Sequence, residues 1–273
     1  MTWSRELRIL IYPSFGCFPT KMLPYAMTAE EKDRHFIDID LFSVEELISL
    51  MSDEDQHVVQ AVRGAKDAIC RATEDAITAI RSGGSLIYIG AGTSGRPGIV
   101  DASGMHPTFN LLPGVFRAII AGGDEALITA VEGAEDDEKA GVRSVATVTG
   151  KDMLLGITAS STTPFVISAL KEGKRRGARC WLLTCSTREH DFLDGVIRVF
   201  VGPEVIAGST RPKSGTATKM VLNMISTATM IKLGGVYKGY MVDVVPSSRK
   251  LKHHAMRIIQ QVTGCTNKQA EEV

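Results

Sequence analysis

The chain has no long apolar run, no paired cysteines and no excess charge of either sign. No stretch approaches the ~20 apolar residues of a membrane span, and Ile9-Leu10-Ile11-Tyr12 is cut by Pro13, too short for the core of a secretory signal. The five cysteines, Cys17, Cys70, Cys180, Cys185 and Cys265, are odd in number and scattered, without the Cys-x-x-Cys or Cys/His spacing of a zinc site. They read as reduced thiols of a cytoplasmic protein, and no metal site is expected. Lys and Arg total 31, as do Asp and Glu, so no overall field favours nucleic acid or an acidic membrane, and any anion must be bound locally. Repeats and low-complexity segments are also missing.

What remains is ordinary for a soluble chain: 273 residues, 44% hydrophobic and 23% charged, enough to bury a sizeable core in one large or two small domains. Ser43 and Glu46 stand at capping-box spacing before a short helix, and Ser52 with Asp55 reads as the start of a second. Apolar residues at helical spacing run on from Val58 to Ile80, and Gly83-Gly84 ends them. Beyond, short apolar runs near 85–90, 116–121, 153–158, 179–185 and 196–201 alternate with helical patterns near 95–102, 124–131, 136–147, 163–176, 211–233 and 248–262. This alternation predicts an α/β fold, a doubly wound five-stranded parallel sheet flanked by helices in a three-layer sandwich.

The richest stretch is 90–109. Gly90, Gly92 and Gly95 follow a predicted buried strand, with the hydroxyls of Thr93 and Ser94 and the charge of Arg96 among them. Such a turn, running into a helix, suits an anion. The glycine spacing also matches a dinucleotide fingerprint, but no acidic residue stands near Val115, where a ribose contact belongs, and Asp124 and Glu125 come too late. A phosphorylated small molecule is therefore expected rather than NAD. Two further hydroxyl-rich turns, 159–164 and 208–216, follow predicted strands and precede helices. Singly, Ser160 or Ser209 reads as an N-cap; three such turns in an open α/β sheet converge on one crevice.

Gly-Ala-Gly-Thr-Ser-Gly-Arg (90–96), Asp-Ala-Ser (101–103), Ala-Gly-Gly (121–123), Val-Glu-Gly-Ala-Glu-Asp (131–136), Gly-Pro-Glu-Val (202–205), Gly-Ser-Thr-Arg (208–211) and Leu-Asn-Met (222–224) resemble the bacterial N-acetylmuramic acid 6-phosphate etherases, as do 241–244 and 263–265. The likeness runs from about Thr28 to the end of the chain. It implies a sugar isomerase (SIS) fold, a homodimer, a sugar phosphate as small-molecule ligand, and no metal or organic cofactor. The implied reaction removes the proton at carbon 2, expels D-lactate from carbon 3, and adds water to the unsaturated sugar. It also implies an atypical, poorly ordered extension over 1–27, a helical segment over 28–84, the SIS domain over 85–245 and a C-terminal helical segment over 246–273, shorter than the family's.

Carried over position by position, the family's phosphate and sugar contacts fall on Thr93, Ser94, Ser160, Ser161, Thr162, Thr163, Ser209 and Thr210, with Arg211 beside them. One of its two catalytic glutamates falls on Glu135, and Glu132 shares a helical face with it if one helix spans both. The other falls on Gly104, which has no side chain to move a proton; His106, two residues on, is the nearest titratable substitute, though a helix turns it by roughly 200°. Pro97 and Pro212 stand where the family carries other residues, both tolerable in a first helical turn, and Ser161-Thr162 replaces a Gly-Arg pair. Three functions follow: an etherase-like lyase with Glu135 as acid/base group; a sugar-phosphate sensor related to glucokinase regulatory protein, its chemistry weakened or disabled at Gly104; or an SIS-type isomerase, which fits the fold but not the etherase motifs.

Overall fold

A capping box at Ser43, in which its side chain meets the Glu46 amide and the Glu46 carboxylate meets the Ser43 amide, opens α1 (Val44–Gly64). The computed structural model describes residues 38–246 and 249–272, so the extension expected over 1–27 lies outside the described residues. Ser52 is not a cap: α1 runs through it, and the chain breaks helix only at Ala65 before α2 (Lys66–Arg81). An Asp-rich stretch mimics a start signal here, but Val58 and Val62 bury on the same helix that Ser43 began.

The remaining order is β1 (Leu86–Gly90), α3 (Gly92–Phe109), β2 (Phe116–Ile120), α4 (Glu138–Ser144), β3 (Met153–Ile157), α5 (Pro164–Arg175), β4 (Arg179–Thr184), β5 (Gly195–Arg198), α6 (Lys213–Leu233), a two-residue hairpin of β6 (Val236–Tyr237) and β7 (Tyr240–Met241), α7 (Arg249–Thr263) and α8 (Asn267–Glu271). The hairpin was not expected. Lys238 and Gly239, both at positive φ, turn it. The helices expected near 124–131 and 136–147 are shorter than predicted: the first is a 3-10 turn, Gly123–Leu127, and the second contracts to α4.

β1 to β5 form one parallel sheet in the order β2-β1-β3-β4-β5. Strand alternation divides the core in two. Leu86, Tyr88, Leu155, Trp181 and Ile197 face a layer containing Val62 and Ala72 of the N-terminal helices with Val221 and Ile225 of α6. Ile87, Ile89, Leu154, Cys180 and Leu182 face Phe165, Val166 and Leu170 of α5. Because β1 pairs with β2 on one edge and β3 on the other, the chain reverses direction of winding beside β1. A crevice opens at the carboxyl ends of strands at such a point.

A buried polar cluster fixes α3 to the sheet and to α6. Asp101 accepts from Tyr88 Oη at 2.9 Å, Asn223 Nδ2 at 2.5 Å and Ser226 Oγ at 3.0 Å. Burial and then the Asp101 charge hold the Tyr88 hydroxyl well above its ordinary pKa, so it remains a donor. The Asp-Ala-Ser and Leu-Asn-Met motifs thus meet in space. Replacing Asp101 by Leu strands three donors in the core; a loss of about 3–5 kcal/mol is expected, read as a lower urea midpoint at unchanged m. Tyr88→Phe removes one bond and is expected to cost only about 1 kcal/mol.

Candidate functional site

The first turn of the site depends on two glycines that let backbone touch backbone. A Cβ on Gly90 would stand 2.6 Å from the Gly95 Cα, and one on Gly95 would stand 2.9 Å from the Gly90 carbonyl carbon. Of the three glycines of this turn, Gly92 alone takes positive φ, at 47°. α3 therefore starts directly on the end of β1, with Thr93 and Ser94 in its first turn and no side-chain cap. Its foremost N–H groups stay available to an anion.

Around this turn lies a cavity of about 370 Å³, at the carboxyl ends of β1 and β3. Four segments line it: Ala91 to Ser94; Glu135 and Asp136; Thr158 to Ser160 with Thr162 to Pro164; and Gly208 with Thr210. In the third segment hydroxyls bond one another, Thr158 Oγ1 with Thr163 Oγ1 at 2.8 Å and Ser160 Oγ with Thr162 Oγ1 at 2.6 Å. α5 begins there with Pro164 at its first position and no side-chain cap. The lining contains no Lys, Arg or His. An anion here meets hydroxyls and two helix N-termini, which carry partial positive charge.

Several expected contacts sit elsewhere. Ser161 does not face the cavity: it is fully buried at φ 63°, its hydroxyl bonded to Thr184 Oγ1 at 2.7 Å while its carbonyl meets His190 Nε2 at 2.9 Å. It shapes the turn from beneath. The Arg96 guanidinium is turned to the carbonyls of Ala126, Leu127 and Thr129 and so clamps the neighbouring turn. Ser209 and Arg211 are outside the lining, Ser209 half-buried and Arg211 exposed. Pro97 lies inside α3 rather than in its first turn, so it cannot donate to the Thr93 carbonyl; Pro212 is the residue before α6.

Glu132 and Glu135 share no helical face. Gly133, at φ 70°, breaks the chain between them, and a 3-10 turn, Ala134–Asp136, then carries Glu135 to the cavity while Glu132 stays exposed outside it. That turn brings a residue that sequence reasoning missed, Asp136, beside Glu135 on the lining. Thr158 was missed too; its signal was its place as the first residue after β3. Gly104 lies about 18 Å along α3 from Gly92, and a Cβ there would meet nothing within 4 Å. His106 is exposed near the end of α3, with Nδ1 2.7 Å from the Leu111 carbonyl, so it closes the helix end and is not in the cavity.

Two buried thiols are poor nucleophiles: burial pushes Cys180 up to about 12 and Cys185 to about 11. Among the described residues, no group of three or more His, Cys, Asp or Glu is placed to hold a metal ion, and no helix is long and apolar enough to cross a membrane.

Comparison with known proteins bears on both the fold and the family. The family profile of the glucokinase regulatory protein N-terminal SIS domain matches residues 68–174. Among solved structures, a protein of Escherichia coli CFT073 matches 74% of this chain and 97% of its own, with a TM-score of 0.53 and 18% identity. Phosphoheptose isomerase GmhA from Neisseria gonorrhoeae matches 68% of this chain and 99% of its own, at TM-score 0.50 and 17% identity. These show the SIS fold. N-acetylmuramic acid 6-phosphate etherase 1 of Bacillus licheniformis is 46% identical over 251 residues, 90% of this chain and 83% of that protein. The N-acetylmuramic acid 6-phosphate etherase of Jannaschia sp. strain CCS1 is 46% identical over 245 residues, 88% of this chain and 78% of that protein. On this likeness along nearly its whole length, the chain belongs to the N-acetylmuramic acid 6-phosphate etherase family.

Proposed function

We propose that the chain cleaves the D-lactyl ether of N-acetylmuramic acid 6-phosphate, a carbon–oxygen lyase reaction of elimination followed by hydration. The observation that carries this reading is one cavity that joins a hydroxyl-lined anion cradle to the carboxylates of Glu135 and Asp136. The 6-phosphate lies against the 158–164 turn and the start of α5, where Ser160, Thr162 and Thr163 donate hydroxyls; Thr93, Ser94 and Thr210 contact the sugar. Glu135 takes the proton from carbon 2 as the carbon 3–oxygen bond breaks; a water gives its proton to the departing lactate oxygen, and the hydroxide so formed adds to carbon 3 while Glu135 returns its proton to carbon 2. Asp136 is the second carboxylate within reach of that exchange. Gly104 and His106 are outside the lining of this cavity in the same chain. Glu132 and Arg211 are exposed outside its lining. The SIS domain spans 85–245, and the chain works as a cytoplasmic homodimer without metal or organic cofactor; Val44 and Ile48, 76% and 59% exposed on α1, supply apolar surface for a second copy.

The test is direct. Purified protein incubated with N-acetylmuramic acid 6-phosphate releases D-lactate above the uncatalysed background. Saturable binding of the sugar phosphate with no lactate would overturn the lyase and leave a sensor, the function that the missing side chain at position 104 favours.

A further inference from the structure

The third hydroxyl-rich turn differs from the other two. α6 should present free N–H groups to the cavity as α3 and α5 do, but Glu204, fully buried, accepts the backbone N–H of Lys213 and of Ser214 through its two oxygens, each at 3.0 Å. The chain's own carboxylate therefore occupies the helix start. Lys213 closes the same structure from the other end: its side chain is 3% exposed, and Nζ donates to the Pro203 carbonyl at 2.8 Å and to Glu54 of α1 at 2.5 Å. Glu54 also lies 3.5 Å from His57 Nδ1. Pro203 and Glu204 at one end and Lys213 at the other thus tie off a loop whose tip, Gly208 and Thr210, lines the cavity.

We infer that Glu204, Lys213 and Glu54 are positioning residues for the sugar site, holding the base of the 204–213 loop so that its tip meets the ligand in one conformation. None of the three lines the cavity, so their effect passes through the loop. A buried ammonium and a buried carboxylate are each tolerated only with partners in place, and here those partners span α1, the loop and α6. Any gain in loop freedom is lost again on binding, which weakens the complex without touching the acid/base groups. The inference rests on the etherase reading for its substrate, and on geometry alone for the clamp.

The experiment uses the full chain with Glu54→Gln, Lys213→Met and their double variant. Glu54→Gln leaves Lys213 a neutral acceptor and keeps the protein folded if Lys213→Met does not. Two readouts are taken: steady-state D-lactate release from N-acetylmuramic acid 6-phosphate, and hydrogen exchange of the 205–211 amides without ligand. A clamp predicts KM raised about tenfold with kcat within about threefold, faster exchange confined to this loop, and a double variant no worse than Lys213→Met alone. A lower kcat at unchanged KM, additive single effects, or loop exchange equal to that of the unaltered chain would each overturn it. Because exchange needs no turnover, absence of lactate from the unaltered chain counts against the proposed function and leaves the clamp still tested.

Discussion

Glu135→Gln will lower D-lactate release by about 10² to 10⁴-fold, the span that loss of a positioned acid or base usually produces. The amide keeps the size and polarity of the carboxylate but takes no proton at neutral pH. Glu135 stands on a short 3-10 turn at the cavity wall, exposed to whatever occupies it. Its loss should therefore act on kcat, with KM for the sugar phosphate within about threefold, since the hydroxyl turns proposed to hold the phosphate are untouched. Steady-state kinetics with a coupled D-lactate assay separates the two. An unchanged kcat would remove Glu135 from the mechanism and pass the role to Asp136, whose Asn variant would then carry the loss.

Gly90→Val will destabilise the fold by more than about 3 kcal/mol and abolish binding of the sugar phosphate. The new Cβ meets the Gly95 Cα at 2.6 Å and the Gly95 nitrogen at 2.8 Å, both backbone atoms that cannot rotate away. Overpacking against movable side chains costs about 1–3 kcal/mol; here the only relief is to lift α3 from β1. That movement carries Thr93 and Ser94 out of the cavity, so stability and binding fall together. Urea unfolding gives the first, and calorimetric titration of the folded fraction gives the second. Gly104→Ala is the matched control. Nothing lies within 4 Å of its added Cβ, and alanine in place of glycine inside α3 should add about 0.5–1 kcal/mol.

The contrast between these glycines bears on position 104. Gly90 and Gly95 are glycine because the chain passes too close for anything larger; at Gly104 an added Cβ meets nothing within 4 Å. Its glycine is not demanded by packing. Yet a carboxylate at this point of α3 is about three turns from the anion cradle of the same chain. Within one protomer, Glu135 and Asp136 are the titratable side chains of the cavity lining.

Much of the architecture is legible in the order of residues. Runs such as Leu86–Gly90 and Met153–Ile157 read as strands because they are buried on both faces of a parallel sheet and so contain no charged residue to obscure them. Helix boundaries were less readable. Ser52 and Asp55 carry a start signal that tertiary burial of Val58 overrides, and Gly133 splits a pattern that spacing alone would join. Local signals compete with packing, and packing wins where it buries more.

The candidate site divides in the same way. Residue type and position after a strand mark the three hydroxyl-rich turns, the family resemblance implies Thr93, Ser94, Ser160, Thr162, Thr163 and Thr210 as contacts within them, and the cavity lining includes each of these. Ser161 has the same residue type and the same turn, but its positive φ points the hydroxyl at Thr184. Arg96 has the right charge in the right motif, yet three carbonyls of the next turn hold it. Such reversals arise because a side chain's direction is set by one dihedral and by what happens to lie opposite, and neither is written in the local pattern.

Residue order alone thus established an α/β sheet with a glycine turn at its ligand edge, the family motifs along the chain, and the loss of a carboxylate at position 104. Periodicity and spacing carry the first of these, and resemblance along the chain carries the other two. It took the folded chain to show which hydroxyls and carboxylates share a cavity, that Asp136 joins Glu135 there, and that Glu204 and Lys213 seal the start of α6. Partners such as Glu54 and Lys213 are far apart in sequence, and it is the fold that brings a carboxylate and a carbonyl to the buried Lys213 ammonium, which burial without partners would not tolerate.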